Sequence, residues 1–344
     1  MASLAVARVG EVVLRRTLQL VLGLAISAVC IALAARGLEL DQVARALGQA
    51  HYVWLFPALA LYFAGVWVRA LRWSALLRLI RPVSAARLFP VVVIGYMAND
   101  VLPFRLGELA RCFVIQRRDG IPQTAALGTV LVERIMDGIT MLAFMAAALV
   151  FLPATPELEV LLRRAGLLFA ATVLVLVAIT ARPQLGAGLV TLLVRPLPER
   201  LGERVRTLAM SFLSGLASLG GGLGALRVFL LSCGAWGLEA AMYYVLMASF
   251  PLTPSVPLAV LTTAVANLGS LVPSSPGYVG VFEYFALEFA LVPFGVPRET
   301  ALAYVLVVHA ALVVPITLLG FYYAWREGVG LGRLTQPSSK AATP

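Results

Sequence analysis

Two short stretches hold most of the chemistry this sequence could do. The first, Asn99-Asp100-Val-Leu-Pro103-Phe-Arg105-Leu-Gly107-Glu108-Leu-Ala-Arg111, sets polar and charged side chains around a proline–glycine break. The second, Glu133-Arg134-Ile-Met-Asp137, sets three charges inside an apolar run from Ala125 to Phe151. An ionisable side chain at membrane depth costs about 2.5–3.5 kcal/mol on insertion scales, so it turns towards a partner or a polar cavity. Arginine suits a phosphate there, because its planar fork holds two oxygens at once. The neighbouring carboxylates could close ion pairs with those arginines or relay protons. Arg105, Arg111 and Arg134 are therefore expected at one phosphate-binding site, with Asn99, Glu108, Glu133 and Asp137 beside them.

Such a site needs elements that carry it into a membrane, and the composition provides them. Hydrophobic residues make up 61% of the 344 and charged residues 13%, about half the charge of a soluble domain. Mean hydropathy is +0.93. Apolar runs long enough to span cover about 17–35, 53–77, 123–151, 161–180, 227–250 and 300–325. Between them, 88–118 and 256–292 each read as two short apolar pieces broken by proline and glycine. The breaks are Pro103 and Gly107 in the first, and Pro273, Pro276, Gly277 and Gly280 in the second. Backbone broken at membrane depth is tolerated only beside protein or a watery cavity.

The two halves repeat each other. Ala98-Asn99, Leu102-Pro103 and Gly107-Glu108 recur as Ala266-Asn267, Val272-Pro273 and Gly280-x-x-Glu283. Gly120-Ile-Pro-Gln-Thr-Ala-Ala-Leu127 recurs as Gly295-Val-Pro-Arg-Glu-Thr-Ala-Leu302, and Trp67 corresponds to Trp236. Each unit reads as span, re-entrant hairpin, span. The expected fold is an all-α polytopic membrane protein built as an inverted repeat, with about six full spans plus two broken hairpins, or about eight if the hairpin arms cross. A single integral membrane domain covers 1–335. Within it, repeat 1 takes about 53–151, a linking span and cytoplasmic amphipathic segment about 160–225, and repeat 2 about 226–325. Residues 336–344 read as a disordered tail. Opposed hairpins would bring Asn267, Ser274, Ser275 and Glu283 of the second unit to the first unit's cluster.

With the N-terminus inside and each hairpin returning to its own side, the cytoplasmic segments carry 21 of the 27 Lys and Arg, and the opposite side 5. That asymmetry predicts N-in/C-in in a bacterial-type inner membrane. The net charge of +10 then reads as contact with anionic inner-leaflet lipid, not nucleic acid. Arg69, Arg72, Arg78 and Arg81 read as interface anchors. Glu239 and His309 read as hydrogen-bonding groups between helices. Cys30, Cys112 and Cys233 show no metal or disulfide spacing, and the two histidines stand far apart. No Walker loop, HExxH or GxSxG is present, so neither a cofactor nor a metal is expected.

At these residues the sequence resembles a known family. Asn-x-x-x-Pro-x-Arg-x-Gly-Glu-x-x-Arg, then Glu-Arg-x-x-Asp, then Pro-x-x-Pro-Gly-x-x-Gly-x-x-Glu is similar to the transmembrane region of the lysylphosphatidylglycerol synthases, a flippase-like family. The resemblance covers about 15–325. In full-length members an N-terminal membrane domain moves aminoacylated phosphatidylglycerol to the outer leaflet, and a C-terminal soluble domain makes that lipid from aminoacyl-tRNA. Here the chain stops about 20 residues after Trp325, which implies a stand-alone member. Tyr278 stands where many members have a second glycine. The resemblance implies a lipid transporter moving a phospholipid or polyprenyl-linked phosphate headgroup between leaflets. The alternatives are a membrane-embedded lipid-modifying enzyme or its subunit, with Glu108, Glu133 or Asp137 as acid or base, and a cell-envelope scaffold.

Overall fold

The computed structural model describes residues 21–102, 106–152, 183–199 and 221–330, with isolated positions at 167–174 and 201–210. Among the described residues all regular structure is helical. Helix α1 (Val21–Ala34) and the short amphipathic α2 (Leu40–Gln49) precede the first unit. That unit is α3 (Leu55–Leu77), α4 (Ala85–Val101), α5 (Gly107–Asp119) and α6 (Gln123–Phe151). Helix α7 (Pro183–Val194) lies in the linking region. The second unit is α8 (Gly222–Met247), α9 (Val256–Gly269), α10 (Val281–Ala286) and α11 (Arg298–Arg326). Helix α10 continues through a π-helical turn, Leu287–Leu291, and a 3-10 turn, Val292–Phe294. Among the described residues, five helical stretches are long and apolar enough to cross a membrane, so the protein is a multi-pass membrane protein.

The repeat is visible in the backbone. Helix α5 ends at Gly120 in the left-handed conformation, φ +69°, and Pro122 then opens α6. The second unit does the same with Gly295, φ +80°, and Pro297 before α11. Glycine takes this φ at no steric cost, and proline fixes the next helix's entry without needing a backbone N–H.

The packing obeys the same exchange. Helix α3 packs on its counterpart α8, while α4 packs on α11 and α9 packs on α6. Helices α3 and α8 run antiparallel. The His51 N–H, just before α3, donates to Ser249 O just after α8 at 2.8 Å, and Arg72 further along α3 reaches Ser232 near the start of α8. A dyad perpendicular to the helices relates equivalent elements paired this way, which is an inverted repeat. The second break meets the end of α4 that leads into the first: Gly277 lies so close to α4 that an added Cβ would sit 3.5 Å from Asp100 O.

The second arm of the second hairpin is longer than the short apolar piece read in sequence and fits the alternative in which an arm crosses. In the fold, Pro276–Phe294 forms a 19-residue stretch long enough to cross, because the π and 3-10 turns extend α10. Pro103, Arg105, most of the span expected over 161–180 and the tail 336–344 lie outside the described residues.

Candidate functional site

Helical spacing assembles the polar cluster. Residues three or four apart share a face. Helix α3 thus presents Arg69 and Arg72 together, α5 presents Glu108 and Arg111, and α6 presents Glu133 and Asp137. Arg72, 1% exposed, is the hub. Its fork is hydrogen-bonded to both oxygens of Asp137, its Nε lies 3.4 Å from Glu133 Oε1, and it donates to Ser232 Oγ at 2.8 Å. Arg111 is bonded to the other oxygen of Glu133, and its guanidinium stacks 4.8 Å over Trp73. Trp236 Nε1 donates to Asp137 Oδ1 at 2.8 Å, tying the second unit to the first. Arg134 stands 3.3 Å from Asp137 and 4.0 Å from Glu108.

A second buried pair crosses the dyad. Arg69 NH2 lies 2.7 Å from Glu239 Oε2, with its guanidinium 4.4 Å from the Trp236 ring. Asn267 Nδ2 donates to Glu239 Oε1 at 3.2 Å and to Thr263 O at 2.8 Å. Glu283 accepts from Gly280 N at 2.7 Å, which fixes the start of α10, and meets His309 Nδ1 at 2.5 Å. His309 Nε2 contacts Gly277 O at 2.8 Å, and its ring stacks on Phe282.

These groups surround a cavity of about 100 Å³ between the units. Arg69, Tyr96, Asn99, Asp100 and Arg134 line it from one side, and Trp236, Glu239, Asn267, Tyr278 and His309 from the other. There is room for several waters or one phosphate-sized group, not for a whole lipid. Asn99 also holds the first break closed, accepting from Gly107 N at 2.8 Å. A second cavity of about 220 Å³ adjoins the first, sharing Asn99, Ser270 and Tyr278, and runs along 271–276 to Gly23 of α1. Tyr278 there has φ +60°, a strained backbone for a side chain this large. The Nε atoms of Arg69 and Arg134 are buried and have no protein hydrogen-bond partner, although both residues line the cavity.

Charge decides what the cavity can take. The described carboxylates at or behind it are Asp100, Glu108, Glu133, Asp137, Glu239 and Glu283. The described guanidiniums are those of Arg69, Arg72, Arg111 and Arg134. With every carboxylate ionised and His309 neutral, these groups carry two negative charges in excess. Asp100 has no ion-pair partner among the described residues; its Oδ2 accepts from Thr317 Oγ1 at 2.8 Å.

The expected site residues sort into three places. Asn99, Arg134 and Asn267 line the cavity, while Glu108, Arg111, Glu133 and Asp137 stand behind Arg134 or Arg72. Glu283 is reached through His309. Ser274 and Ser275 do not join this cluster. The left-handed turn at Gly277 and Tyr278 carries them towards α1, where Ser275 N and Oγ meet Ser27 Oγ at 2.9 and 3.0 Å. Arg69 and Arg72 are also not interface anchors, being 3% and 1% exposed within the charge network. Their spacing, one helical turn apart and facing an acidic residue at Glu239 in the paired helix, was the signal available in sequence.

A model of the family described as the lysylphosphatidylglycerol synthase TM region matches residues 20–320. The chain belongs to that family. It is 26% identical over 334 residues to a Haloferax volcanii protein named glycosyltransferase AglD, covering 86% of this chain and 52% of that protein. This chain thus spans about half of that relative's length. It is 24% identical over 297 residues to a UPF0104 membrane protein of Methanothermobacter thermautotrophicus, covering 83% of this chain and 86% of that protein. In this member of the synthase TM-region family, the matched residues include both breaks, the charge network and His309.

Proposed function

We propose that the protein moves a phosphate-bearing lipid, or a lipid-linked phosphate headgroup, between the leaflets of a cell membrane. The observation that carries this reading is a buried polar cavity between the two units, walled by the end of α4 that leads into the first break and by the second break at Tyr278. Such a site can face either leaflet by rearrangement of one unit against the other. The headgroup phosphate sits against the guanidiniums of Arg134 and Arg69, which line the cavity, while the acyl or polyprenyl tail stays in the bilayer. The N-terminus and C-terminus lie in the cytoplasm, following the lysine and arginine asymmetry.

A separate basic pocket supports inner-leaflet lipid as a partner. Arg81, Arg87 and Arg118 gather around Asp119 between the α3–α4 and α5–α6 turns. The match to a protein named as a glycosyltransferase, of which this chain spans about half, supports a second reading as the membrane subunit of a lipid-modifying enzyme.

Purified protein in liposomes tests the choice by leaflet exchange of several labelled phospholipids. Exchange by this chain alone, abolished by Arg134→Ala in folded protein and partly restored by Arg134→Lys, is the expected result. Normal exchange by Arg134→Ala refutes the headgroup assignment, and no exchange by wild type favours the subunit reading.

A further inference from the structure

The repeat places two different residues at one position. The correspondence of Gly120 with Gly295 carries Arg134 onto His309, and it carries Glu108 onto Glu283. Each unit therefore faces the cavity with an acid–base pair built the same way: Arg134 with Glu108, and His309 with Glu283. The first pair holds a fixed positive charge. The second replaces it with a side chain that can gain or lose a proton near neutral pH.

The hydrogen bonds of His309 define its proton inventory. Gly277 O can only accept, so Nε2 carries a hydrogen and donates to it. Nδ1 then faces a carboxylate oxygen at 2.5 Å, close enough for the two atoms to share one further proton when it is bound. The buried pair is thus neutral as a unit when that proton is present and carries one negative charge when it is absent. Stacking on Phe282 holds the ring in place for both states.

The surroundings make that proton matter. From the elements packed around it, His309 faces Glu283 of α10 and, across the cavity, Asp100 and Tyr96 of α4, Arg69 and Tyr62 of α3, and Arg134 of α6. Helix α8 adds Glu239, already paired with Arg69, and the second break adds Tyr278. The described groups hold two negative charges in excess when fully ionised, and an arriving phosphate adds to that excess. In a low-dielectric site like charges repel strongly.

We propose that the His309–Glu283 pair is the protein's proton-binding site, loaded from the aqueous phase as a phosphate headgroup enters and emptied when it leaves. Proton and anion then travel together, and the first unit's Arg134 supplies the fixed charge to which the proton is the counterpart. This rests on the transport reading above and adds its coupling ion.

The whole chain in lipid nanodiscs, with glycerol phosphate as the probe, tests the proposal. In weak buffer with an indicator dye, the probe makes wild type take up on the order of one proton per chain within the range of about pH 5 to 8. His309→Arg, which copies the first unit, and His309→Gln take up none. No uptake by wild type anywhere in that range, or equal uptake by the variants, overturns the proposal. Nitrogen magnetic resonance of isotope-labelled histidine reads the same event on only two residues, with His51 as the reference. Addition of the probe must change the His309 Nδ1 signal, and an unchanged signal also overturns the site. Leaflet exchange measured on the same preparations separates the two ideas. Proton uptake without exchange refutes transport and leaves the proton site standing, whereas exchange without uptake refutes the proton site alone.

Discussion

Arg72→Met removes one positive charge from a balanced buried group. Arg72, Arg111 and Arg134 face Glu108, Glu133 and Asp137 through the contacts described above. After the change Glu133, wholly buried, still holds Arg111, and Asp137 still holds Arg134 and Trp236. Neither carboxylate is left alone, so the loss falls at the low end for a broken buried pair, about 3 kcal/mol. Methionine keeps most of the arginine's volume, so little of this is a cavity effect. The thermal midpoint in detergent should fall by about 4 °C for a chain of 344 residues, measured by heating followed by size-exclusion chromatography. Charge, not shape, is the stated cause, and a second substitution checks it. Arg72→Met with Asp137→Asn restores the balance, and the amide oxygen still accepts from Trp236. The double variant should therefore be more stable than Arg72→Met alone, by about 1–2 kcal/mol. A single variant within about 1 kcal/mol of wild type, or a double variant less stable than the single, refutes the reasoning.

Four further outcomes test the packing, the topology and the basic pocket. Gly107→Ala places a Cβ 1.9 Å from Gly95 O and 2.6 Å from Asn99 Oδ1, so it should cost at least about 2 kcal/mol in the same heating assay. Gly138→Ala, in a helix with nothing within 4 Å, should instead be neutral or gain about 0.5–1 kcal/mol. With Cys30, Cys112 and Cys233 replaced, Pro198→Cys should react with an impermeant thiol reagent from inside and Pro254→Cys from outside; labelling from one side would contradict the topology. Replacing Arg87 and Arg118 by Gln should shrink the extra thermal stability that phosphatidylglycerol nanodiscs give over phosphatidylcholine ones, and an undiminished difference would remove the basic pocket as a lipid contact.

The sequence made the breaks, the repeat and the first unit's cluster readable because charge is scarce in it. Glu133, Arg134 and Asp137 stand out against an apolar run, and the proline–glycine breaks recur at matching places. Arg69 and Arg72 were harder to place. They fall towards the end of a span, where long basic side chains ordinarily reach for the interface, and their partners lie 65 to 170 positions away. Burial alone reveals that they point inward. Ser274 and Ser275 went astray for a backbone reason. Their direction is set by positive φ at Gly277 and Tyr278, and a tyrosine does not announce a left-handed turn. The role of His309 becomes visible only when the repeat is carried through to α11 and its two ring contacts are read together.

The ion pair between α3 and α8 has a consequence for how the chain is made. Arg69 is synthesised 170 residues before Glu239. At about 5–20 residues per second, ribosomes take roughly 10–30 s to supply that partner. Arg72 waits less, since Asp137 follows after 65 residues. During this interval α3 must hold an unpaired arginine near the lipid, at about 2.5–3.5 kcal/mol on insertion scales. The first helices therefore remain near the insertion machinery, or in water-accessible positions, until α8 emerges. A nascent chain stalled between the two units would present Arg69 without its acid, a mark by which membrane proteases could tell an unfinished copy from a completed one.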